Sequence, residues 1–75
     1  MNAADYDRLR QTYKTAVDAW VAAIREEEAL ATPDHSIVAM EKWDDAGFKE
    51  QDAQKKALAA KEALQSALRE FNYGI

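Results

Sequence analysis

The sequence predicts an all-α protein, an antiparallel two-helix hairpin with coiled-coil-like packing that dimerises into a four-helix bundle. Three observations lead there. Apolar residues recur at alternating steps of three and four through two long segments, alanine, the strongest helix former, is spread through both, and the only proline, Pro33, falls between them.

The first helix is expected over about residues 3–31. Asn2 is placed to cap its first turn, and Asp5 sets a carboxylate against the positive end of the helix dipole. Tyr6, Leu9, Tyr13, Ala16, Trp20, Ala23 and Leu30 form an apolar stripe with Glu27 as its gap, and Val17, Val21 and Ile24 widen it. A turn is expected over residues 32–36, where Pro33 disfavours helical geometry in Thr32. Asp34 and Ser36 are candidate caps for the second helix, and Thr32 as cap with Pro33 at the first helical position is an equally allowed start.

The second helix is expected over about residues 37–72. Ala39, Trp43, Ala46, Ala53, Ala57, Ala60, Leu64, Ala67 and Phe71 keep a heptad register in which Glu50 is the interruption. So many small residues on one seam let a facing helix approach closely, and Ile37, Met40, Leu58 and Leu68 broaden the seam. Asp45 with Lys49 and Asp52 with Lys56 stand at favourable helical spacing for exposed ion pairs, as do Lys14 and Asp18 in the reverse order. Gly47 costs about 1 kcal/mol relative to alanine inside a helix. It either breaks the segment after Ala46, giving three helices, or makes room for a large neighbour. The unbroken register favours room, and folding the hairpin about its turn sets Trp20 level with Gly47 and Phe48.

At about 1.5 Å per residue the second helix outruns the first by roughly 10 Å. Its far end would then display Leu64, Leu68, Phe71 and Tyr73, an apolar group that a second hairpin would cover, and these four are the expected homodimer interface. Size points the same way. A single domain of 75 residues without cysteine has no disulfide framework, and a core this small supplies only about 3 to 5 kcal/mol.

Composition narrows the function classes. The net charge of -4 opposes attraction to nucleic acid or anionic lipid, so neither nucleic acid nor membrane is an expected partner. The opening MNAADYDRLR lacks the pattern of a secretory or transit signal, no apolar run approaches the roughly 20 residues of a membrane span, and a soluble, cytoplasmic protein is expected. Glu26, Glu27, Glu28, Asp34, His35, Glu41, Asp44 and Asp45 gather near the turn as an acidic tip. No calcium-loop spacing is present among them, a single histidine cannot supply a zinc site or an inward Glu-x-x-His pair, and neither Ser36 nor Ser66 has the partners of a nucleophilic triad. Two glycines make no phosphate-cradling loop. No catalytic residue, cofactor or metal is assigned, and the chain is not expected to be an enzyme. The expected role is a helical protein-protein interaction or assembly module that self-associates. The alternatives are a cation or small-ligand binding protein using the acidic tip, and an acidic inhibitor or decoy for a basic protein surface.

Overall fold

Two helices form where the heptad pattern runs without a breaker: α1 over Ala3–Leu30 and α2 over Ile37–Tyr73. The computed structural model describes residues 3–34 and 36–73, so the expected Asn2 cap and His35 of the tip lie outside the described residues. Helix α1 ends at Leu30, one residue earlier than expected. The Ala31 N–H donates to the Glu28 carbonyl at 3.1 Å and the Thr32 N–H to the Leu30 carbonyl at 3.0 Å, so the chain tightens just before Pro33.

The choice of cap for α2 resolves to Ser36. Its hydroxyl oxygen accepts from the Ala39 N–H at 3.1 Å, the N3 donor, while its carbonyl accepts the first helical bond from Met40 at 3.1 Å. Asp34 holds Ser36 in place, its Oδ1 accepting from the Ser36 N–H at 2.9 Å, and Thr32 Oγ1 accepts from the Asp34 N–H at 3.3 Å. These Asx- and ST-type contacts let a short turn reverse the chain without a glycine.

The seam matches the heptad reading closely. On α1 every stripe position, Tyr6, Leu9, Tyr13, Ala16, Trp20, Ala23, Glu27 and Leu30, is half-buried, the glutamate gap included. On α2, Ala46, Ala57 and Ala67 are buried at 3%, 2% and 6% exposure, with Ala39, Glu50, Ala53, Ala60 and Leu64 half-buried between them. Large side chains of α1 therefore meet a run of alanines on α2, which is what lets two helices pack tightly. Trp43 departs from the pattern at 47% exposure, although it occupies a seam position.

Helix α2 runs through Gly47 without a break, which removes the three-helix alternative. The neighbour at that glycine is a different residue from the one expected. Trp20 stands level with Glu50, its indole Nε1–H donating to Glu50 Oε1 at 2.7 Å, whereas a Cβ added at Gly47 would lie 3.6 Å from the Glu27 carboxylate. The register is thus about one helical turn away from the expected one, because the indole N–H seeks the only acceptor on the opposing seam. Lys49 likewise turns from Asp45 to Glu26 of the other helix, at 4.0 Å.

The product is a rod of 56 × 17 × 12 Å with a radius of gyration of 17.1 Å. A compact domain of this length would have a radius near 11 Å. The local geometry sets two expectations. Ser36→Ala should cost about 1 kcal/mol, read as a lower urea midpoint with an unchanged slope. Gly47→Ala should stabilise by up to about 1 kcal/mol, because the added methyl makes only ordinary contact with Glu27, and should raise the melting temperature by a few degrees.

Candidate interaction surface

Labelling the seam positions a and d divides the rest of each helix into two flanks. In an antiparallel pair the g and c positions of both helices lie on one broad face and the e and b positions on the other. The contacts agree. Glu26 and Lys49, both g, meet across the helices, and the shallow groove beside them is lined by Arg8, Thr12, Ala19, Asp52 and Lys56, all g or c. The notch at Gly47, an e position, opens on the opposite side among Glu27, Trp43, Asp44, Phe48 and Gln51.

The two faces differ in chemistry. The g/c face is charged. The other carries Val21 and Ile24 from α1 and Ile37, Met40 and Leu58 from α2 at its e and b positions, with Phe48 at its outer edge and Trp43 at its seam edge. Of the eight exposed large hydrophobic residues among those described, only Val38 lies elsewhere, so the exposed apolar surface is one face rather than scattered side chains. Ile37, Phe48 and Leu58 are 75%, 64% and 51% exposed. Between them the e and b positions of α2 hold Met40, Asp44, Gly47, Gln51 and Gln54.

Two of the four residues of the expected interface at the end of α2 have described side chains. Leu64 and Leu68 are half-buried and Ala67 between them is buried. Phe71 and Tyr73 belong to the last turn of α2, and their side chains lie outside the described residues. The acidic tip is also divided. Glu26 faces Lys49 on the charged face, Glu27 lies by the Gly47 notch, and Asp34 is engaged with the Ser36 backbone. Glu28, Glu41, Asp44 and Asp45 are exposed around the helices. Among the described residues no group of three or more His, Cys, Asp or Glu side chains is arranged to hold a metal ion. No helix among them is long and apolar enough to cross a membrane.

Two features had a signal in the sequence that periodicity alone does not interpret. Glu27 and Glu50 interrupt otherwise apolar stripes, and each turns out to have a specific neighbour on the other helix. Phe48 belongs to no stripe, and its importance appears only when exposure is combined with register. No protein-family model matches the chain, and no match is found among curated proteins or solved structures. Because the Trp20 indole and Glu50 form a charge-assisted hydrogen bond in a half-buried seam, Glu50→Ala should cost about 1 kcal/mol and alter Trp20 emission, as followed by urea unfolding at one protein concentration.

Proposed function

We propose that this protein is a non-enzymatic assembly module whose hairpin pairs with a second copy to form a four-helix bundle. The supporting observation is its surface area. The hairpin exposes 5898 Å², whereas a compact protein of 8.4 kDa would expose about 4,600 Å². The excess of about 1,300 Å² is more than the roughly 800 Å² that each partner buries in a stable interface of standard size. Seven of the eight exposed large hydrophobic residues among those described lie on or at the edges of one face. A seam whose buried residues among those described are alanines also leaves each hairpin with little hydrophobic energy of its own, since an alanine buries far less apolar area than the leucine or phenylalanine left outside.

The other functional readings have less support. The acids that would form a cation site spread over both faces, and the exposed surface that asks for a partner is apolar rather than acidic. Light scattering across a dilution series, with helical content read on the same samples, tests the proposal. The expected mass is twice 8.4 kDa, with helicity falling as dimers dissociate. A mass of 8.4 kDa with undiminished helicity throughout would overturn it.

A further inference from the structure

We infer that the second copy docks on the e/b face with its turn at the opposite end of the rod, the two copies being related by a two-fold axis perpendicular to the long axis. This rests on the self-association just proposed and adds the surface and the orientation.

The net charge at the e and b positions changes sign along the rod. The end near the turn carries Glu28 and Asp44, with Glu27 beside them at the seam and no base at these positions. The other end carries Arg10, Lys14 and Lys61 with Asp7. Arg10 lies 3.6 Å from Asp7 and Lys14 lies 3.1 Å from Asp18, but both pairs are exposed, and such pairs exchange partners at little cost. Even counting Asp18, this end holds three cations against two acids. Docking with turns at the same end would set acids over acids. Docking with turns at opposite ends sets the acidic end of each copy over the basic end of the other, so the face is complementary to itself and a second copy fits it.

The register sharpens this. Trp20 pairs with Glu50 and Glu26 with Lys49, so the level midway along α1 falls on α2 between Ala53 and Leu58. Asp44 and Lys61 stand nine and eight residues on either side of Ala53, and Phe48 and Leu58 each stand five away. A two-fold axis at Ala53, one end of that range, sets Asp44 of one copy against Lys61 of the other, twice, and sets Leu58 beside Phe48 and the open notch at Gly47. Isologous symmetry thus matches opposite charges and apolar groups with the same operation.

Charge exchange and distance test the proposal together. Asp44→Lys and Lys61→Glu should each weaken the dimer by roughly three- to tenfold, and the double variant should regain wild-type affinity. Phe48→Glu should abolish dimerisation, while Val38→Glu, equally exposed but off the face, should leave it intact, all with helicity checked by circular dichroism. The chain has no cysteine, so Glu41→Cys carries a single spin label. Its label-to-label distance should be roughly 35 Å in the opposed arrangement, against about 20 Å with turns together. A monomeric wild type would overturn self-association itself. A dimer that survives Phe48→Glu would overturn the face, and a short label distance or absent charge rescue would overturn the orientation.

Discussion

The rest of the structure depends on alanine at the helix seam. Ala46, Ala57 and Ala67 let α1 and α2 approach closely, and they are the buried residues among those described. Close approach gains many dispersion contacts, but a methyl group removes little apolar area from water. The seam therefore brings the two helices together while supplying modest stability. Large side chains on α1, such as Leu9, Tyr13 and Trp20, remain half-exposed because alanine offers them a shallow floor rather than a pocket.

Polar residues set the register that this smooth seam leaves loose. An alanine ladder repeats every heptad, so sliding by a turn loses few apolar contacts. Glu50 is the acceptor on the seam of α2 that the Trp20 indole can reach, and the bond between them distinguishes one alignment from its neighbours. Glu26 with Lys49 reinforces it at the edge, as an exposed pair of small energetic value whose geometry agrees with the same register. Gly47 then falls beside Glu27, giving that carboxylate space and leaving a notch on the apolar face. Both interruptions of the heptad pattern thus mark places where the two helices recognise each other.

A rod with a narrow seam necessarily exposes its flanks, and what those flanks contain decides how the hairpin meets other molecules. One is charged and hydrated. The other gathers Val21, Ile24, Met40, Phe48 and Leu58, and its net charge changes sign along the rod. In the proposed dimer the apolar area would provide the drive to associate and the charges would provide direction.

The sequence by itself determined the two helices, the turn and the positions that face inward, because heptad spacing and Pro33 act locally and the apolar stripe must be buried wherever the helices lie. It also exposed Glu27 and Glu50 as exceptions without saying what they meet. Only the tertiary structure decided Ser36 as the cap, Glu50 rather than Gly47 as the partner of Trp20, and the half-burial of Leu64 and Leu68. Only it separated the residues that broaden the seam, burying Val17 and Leu68 in part while leaving Val21, Ile24, Met40 and Leu58 outside. The physical reason is that periodicity states which side of a helix is apolar, whereas the depth of burial depends on how closely the axes approach and at what register, and those are properties of the pair.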